Sequence, residues 1–145
     1  MNKELRLSLI ALASLFLGIY LYYFERNGFL IFDSVQSLKI LDIFGPIGNN
    51  LPSFLHSFSF SLLTVLIIGF KKKWIIYSSV FWFIIELIFE LGQMQIIANK
   101  LIALGLTPNG FLGRFFYYGK FDIMDVLASF IGVILSLLIC LKELK

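Results

Sequence analysis

The chain has 145 residues, of which 59% are apolar, 17% aromatic and only 14% charged, and its mean hydropathy is +0.92. A water-soluble domain carries about 25% charged residues, so this chain lacks the polar surface to cover a soluble globule. That excludes a soluble enzyme, a disordered regulator and a stand-alone nucleic-acid binder, and it leaves a small all-α integral membrane protein folded as a single domain over residues 1–145. The net charge of +3 is weak for a nucleic-acid partner. Cys140 is the only cysteine, so no intrachain disulfide is possible.

Lys3 and Arg6 precede an uncharged run over residues 7–24. The run is longer than a secretory h-region and no small-x-small cleavage site follows it, so it reads as an uncleaved first membrane helix. In the connection over residues 25–50, Val35, Leu38 and Leu41 recur at helical spacing and predict a short interfacial helix. Gly45-Pro46 and Gly48-Asn49-Asn50 then break the chain. Further apolar runs cover residues 51–70, 74–91 and 123–141, each near the roughly 20 residues that cross about 30 Å of hydrocarbon. None alternates with a period of two, so the four spans predict helices rather than a barrel. Between the last two spans, Met94, Ile97, Leu101 and Leu104 predict a second interfacial helix, and Gly105, Pro108, Gly110 and Gly113 a flexible or re-entrant stretch.

Short-loop Lys and Arg set the orientation. With both termini in the cytoplasm, Lys3, Arg6, Lys71, Lys72, Lys73, Lys142 and Lys145 lie inside, while Arg26, Lys39, Lys100, Arg114 and Lys120 lie outside. The lysine triplet in a tight turn decides the balance. The two long connections then fall on the outer face.

Ionisable groups within membrane helices are functional candidates by default. Glu86, Glu90 and Gln93 follow one another at i, i+4, i+7 on one stripe of the third span. At ~1.5 Å per residue, Glu86 stands ~18 Å and Glu90 ~24 Å from the inner boundary, both in the outer half. A charge facing lipid near the bilayer centre costs about 3 kcal/mol, so both carboxylates belong inside the bundle. The fourth span opens with Asp122 and Asp125, and Ala128, Gly132 and Ser136 below them are spaced for close helix packing. His56 lies ~8 Å below the outer boundary of the second span. Ser53, Ser57, Ser61 and Thr64 share a face of that span, and bonds to i−4 carbonyls or a neighbouring helix are their default role. His56, Glu86, Glu90 and Asp125 come from three helices yet fall at similar depth, with Arg114 and Lys120 above them. That coincidence predicts a polar pocket at the outer face.

These positions resemble the VanZ-like family of small bacterial membrane proteins over residues 51–141. The likeness rests on His56 in Leu-Pro-Ser-Phe-Leu-His, Glu90 and Gln93 in Glu-Leu-Gly-Gln, Arg114, Asp125 in Asp-Val-Leu-Ala-Ser, and Gly132. Pro52 and Ser53 stand where the family often has Asp-Lys, Phe60 replaces an aromatic hydroxyl, Ser129 replaces a frequent Asn, and Arg114 stands far beyond Gln93, as in a divergent branch. The resemblance implies the cell envelope and a bacterial cytoplasmic (inner) membrane, and it implies little chemistry.

The residues favour a non-enzymatic protein whose outer pocket binds a lipid head group or an envelope glycan carrier, with Arg114 and Lys120 placed to hold phosphate. Membrane lipids, a second copy or another membrane protein are the expected partners; no cofactor and no resident metal are expected. One alternative is an enzyme acting on a lipid-linked substrate, with Glu86 or Glu90 as general base beside His56, or with these groups around a divalent ion. A single His and the lack of HExxH spacing weigh against it. The other alternative is a proton-coupled transporter working as an oligomer.

Overall fold

The computed structural model describes residues 2–24 and 44–144. Among them stand seven helices and no strand: α1 (Lys3–Phe24), α2 (Gly45–Gly48), α3 (Leu51–Ile68), α4 (Lys72–Gly92), α5 (Gln95–Ala103), α6 (Phe111–Tyr118) and α7 (Ile123–Lys142). Four of these, α1, α3, α4 and α7, are long and apolar enough to cross a membrane.

Local geometry, not hydropathy, sets where the long helices begin and end. Pro52 sits in the first turn of α3, where its missing N–H removes no helical bond. Gly69, with φ of 96°, ends α3 two residues before the apolar run does, because that left-handed conformation favours glycine. Conversely, α1 and α4 start at Lys3 and Lys72, ahead of their apolar runs, since lysine is a good helix former outside the hydrocarbon. At the start of α7 the Asp122 carboxylate accepts the Met124 backbone N–H at 2.9 Å, an N-cap.

In the second long connection, α5 lies where the spacing of Met94 to Leu104 predicts a helix. Beyond it, within and after the stretch expected to be flexible or re-entrant, Phe111–Tyr118 is helical. Gly105, at φ of 105°, turns the chain out of α5, and Gly110 N–H donates to the Thr107 carbonyl at 2.9 Å. Gly113 lies inside α6 and breaks nothing. A Cβ there would collide with the Thr107 carbonyl, so this glycine allows a close approach rather than mobility. The expected helix over residues 35–42 lies outside the described residues.

α3 is the central helix, packed against α1, α4 and α7, while α4 also packs on α7. Successive long helices run in opposite directions, which leaves α3 and α7 parallel. One end of the bundle, the basic end, gathers the start of α1, the α3–α4 turn and the end of α7. There Arg6 pairs with Glu143, and Lys3 Nζ donates to the Glu143 carbonyl at 3.3 Å. The opposite end, the loop end, carries α2, α5 and α6. Toward the basic end the core is apolar, built from Ala11, Phe58, Leu62, Val65, Ile75 and Cys140. Nearer the loop end, α3 and α7 meet along small residues. The Ser57 hydroxyl lies 2.9 Å from the Ser53 carbonyl and 3.1 Å from that of Ser129, and Ser129 Oγ donates to the Ser53 carbonyl at 3.3 Å. At Gly132 a Cβ would strike the Phe54 carbonyl and stand 2.6 Å from Ser57 Oγ. The backbones therefore touch, as small residues permit where lipid gives helices little hydrophobic reason to associate. Ser136 is buried and Ala128 is half-buried at the edge. The outward faces of α4 and α7 are apolar and exposed, with Tyr77, Val80, Phe81, Ile84, Phe130, Ile131 and Leu138 among them.

Gly132→Val should lower stability by about 1–3 kcal/mol, the cost of overfilling a packed contact. Ala128→Val should change it much less. Thermal unfolding in detergent, followed by circular dichroism, reads both, and equal melting temperatures for Gly132→Val and the parent would contradict this packing.

Candidate functional site

The alternating directions of the long helices carry the start of α3, the end of α4 and the start of α7 to the loop end, where their polar groups form one hydrogen-bonded network. Asn50, the residue before α3, donates from Nδ2 to Asp125 Oδ1 at 3.0 Å and lies 3.3 Å from Asp122 Oδ2. The Asp122 backbone N–H donates to Glu90 Oε2 at 3.2 Å. Gln93 Nε2 approaches Glu90 Oε1 at 3.5 Å, one turn along α4. Asp125 is fully buried, while Glu90 and Gln93 are 5% and 6% exposed. Carboxylates this deep are tolerable only where donors meet them. Those donors include Asn50 just before α3, Gln93 at the end of α4 and the Asp122 N–H in the turn into α7.

α6 covers the same region. Phe89 of α4 stacks on Phe116 at 5.7 Å between ring centroids and meets Phe115 edge-on at 5.4 Å. A Cβ at Gly92 would collide with the Phe116 ring. A Cβ at Gly119 would strike the Phe115 carbonyl and stand 2.6 Å from Gln93 Oε1. Two glycines thus let α6 and its C-terminal turn close down on the end of α4, beside Glu90 and Gln93. Arg114 is half-buried on α6 and Lys120 exposed just after it, so both cations belong to the segment that covers the network.

Glu90, Gln93, Asp122 and Asp125 are therefore joined. Glu86 is half-buried one turn further into the bundle on α4. His56 faces α1: a Cβ at Gly18 would lie 3.3 Å from its Cδ2 and 3.5 Å from its Nε2. Its ring also contacts Phe60, which stacks on Trp82 at 4.6 Å. Ser53 and Ser57 look toward α7 instead, because successive helical residues differ by about 100° in direction. The serine ladder drifts around α3 as it descends. Ser78 Oγ of α4 donates to the Ser61 carbonyl at 3.0 Å, and Trp82 Nε1 to Thr64 Oγ1 at 2.8 Å.

Asn50 is the member that sequence reasoning missed, treating it as part of a loop break. Its type and place carried a signal, since Asn favours helix N-caps. Its side chain does not cap its own helix, however, and reaches across to the first turn of α7. Among the described residues no group of three or more His, Cys, Asp or Glu side chains is arranged to hold a metal ion. The network offers carboxylate and amide oxygens, which accept hydrogen bonds from a cationic group, beside a segment that carries guanidinium and ammonium groups.

Four helices of crossing length with apolar outward faces define a multi-pass membrane protein, here with an acidic network at one end of its bundle. No family model, curated protein or solved structure matches the chain.

Asn50→Leu keeps the approximate size and removes the donor to two carboxylates, and should cost about 1–3 kcal/mol of stability. Asn50→Asp adds a like charge and should cost more. Thermal unfolding in detergent checks the order; an Asn50→Leu protein as stable as the parent would contradict the network.

Proposed function

We propose that this chain is a VanZ-like protein of the bacterial cytoplasmic membrane that binds the head group of a membrane lipid, or of an envelope glycan carrier, without catalysing a reaction. The observation that carries the reading is the part-buried network of Asn50, Glu90, Gln93, Asp122 and Asp125, gathered from the ends of three helices beside the helix that holds Arg114. Acceptor oxygens below and cations above suit a zwitterionic head group, with its ammonium toward the carboxylates and its phosphate toward Arg114 and Lys120. The lysine-rich basic end favours both termini in the cytoplasm, which turns the network outward. α5 and α6 then lie at the outer interface, consistent with exposed Ile96, Leu104, Phe111 and Leu112 beside Lys100 and Arg114.

Native mass spectrometry of the purified protein tests the binding. The parent should retain a phosphate-bearing lipid, and Arg114→Ala, compared at a temperature where both proteins are folded, should retain it about tenfold less, the equivalent of ~1.4 kcal/mol. Equal retention would overturn the reading. Orientation has its own test, because Cys140 is buried and gives little background. Leu104→Cys should react in intact cells with a membrane-impermeant maleimide and Lys72→Cys should not; the reverse pattern would invert the topology.

A further inference from the structure

The basic end carries charge that the loop-end network does not use. Among the described residues Lys3, Arg6, Lys71, Lys72, Lys73 and Lys142 gather there, against Glu4 and a Glu143 already engaged by Arg6. Lys71, Lys72 and Lys73 are consecutive and exposed, and the first turn of α4 contains no acidic residue. Three adjacent cations repel one another unless anions gather around them. Lys3 is drawn to the same place, with its Nζ 4.7 Å from the centroid of Phe70, the residue before the triplet.

Directly beneath the cations lies an aromatic layer. Lys73 Nζ is 4.9 Å from the centre of Trp74, and Trp74 meets Tyr77 edge-on at 5.9 Å. Trp and Tyr sit at the boundary between head groups and acyl chains, while long cationic side chains reach outward from it. Below Tyr77 the exposed face of α4 continues through Val80, Ile84 and Ile88, an apolar stripe at helical spacing. Cations, then aromatic rings, then an apolar stripe repeat the order of phosphate, glycerol and acyl chain in a phospholipid.

We propose that the Lys71–Lys73 turn, with Lys3 beside it, binds the phosphodiester of an anionic phospholipid whose acyl chain lies along the Tyr77–Val80–Ile84 stripe of α4. The inference rests on the membrane reading and is independent of the site at the loop end. Juxtamembrane lysine clusters attract anionic lipids with an energy that salt screens.

The test is thermal unfolding of the full chain in neutral detergent micelles, titrated separately with phosphatidylglycerol, phosphatidylcholine and inorganic phosphate. Phosphatidylglycerol should raise the melting temperature by several degrees, and the other two by much less. K71Q/K72Q/K73Q should lose the difference between the two lipids, and K71R/K72R/K73R should keep it. Should the glutamine variant fail to fold, Lys72→Gln alone should diminish the difference, as should half-molar salt with the parent protein. Equal stabilisation by both lipids, an equal effect of free phosphate, or a lipid difference that survives the glutamine substitutions would overturn the proposal. The loop-end reading is decided by lipid retention in Arg114→Ala compared with its parent, both carrying K71Q/K72Q/K73Q or, if that fails to fold, Lys72→Gln, so either can fail without the other.

Discussion

The side-chain amide of Asn50 links two parallel helices at their first turns, and much of the bundle depends on that link. It bonds Asp125 and approaches Asp122, so the start of α3 is held against the start of α7. From that point the two helices descend together and bring Ser53 and Ser57 opposite Ser129 and Gly132. Lipid tails are as apolar as leucine, so association inside a membrane relies on close packing and on hydrogen bonds between helices. A polar tie at the top and touching backbones below supply both. α4 joins the pair through Glu90, which accepts the Asp122 N–H, and so the three-helix unit is closed at one end.

The bundle is polar at one end of its interior and apolar at the other. The basic half packs Phe58, Leu62, Val65 and Ile75 with Cys140. Charge there stays outside, in lysines that flank the helices. At the loop end the order reverses, with carboxylates inside and apolar side chains of α5 and α6 exposed around them. A chain this poor in charge bears the cost of burying two carboxylates, Glu90 and Asp125, where neighbouring helix ends bring donors to them.

Length and apolar runs made the four long helices legible, because crossing length and backbone satisfaction in lipid leave few alternatives. Their ends were less so, since Gly69 and Lys72 act through backbone geometry and propensity rather than hydropathy. The stripes Glu86–Glu90–Gln93 and Asp125–Gly132–Ser136 could be read because helical spacing is local. Depth along the helix does not give direction around it: His56 shares the level of the carboxylates and packs against α1 at Gly18. The partnership of Asn50 with α7 spans 72 and 75 positions in sequence, beyond any local pattern. α6 was hidden by Gly110 and Gly113, which read as chain breaks but lie close against Thr107.

The network that orders the helices is also the place at which a ligand is proposed to bind. At the centre of that network Asn50 and Asp125 act as a pair. A double-mutant cycle of Asn50→Ala and Asp125→Ala, read by reversible unfolding in detergent, measures that pairing without reference to any ligand. The expected coupling lies within the range of about 0.5–3 kcal/mol found for contacting groups. Stability losses that simply add would contradict it.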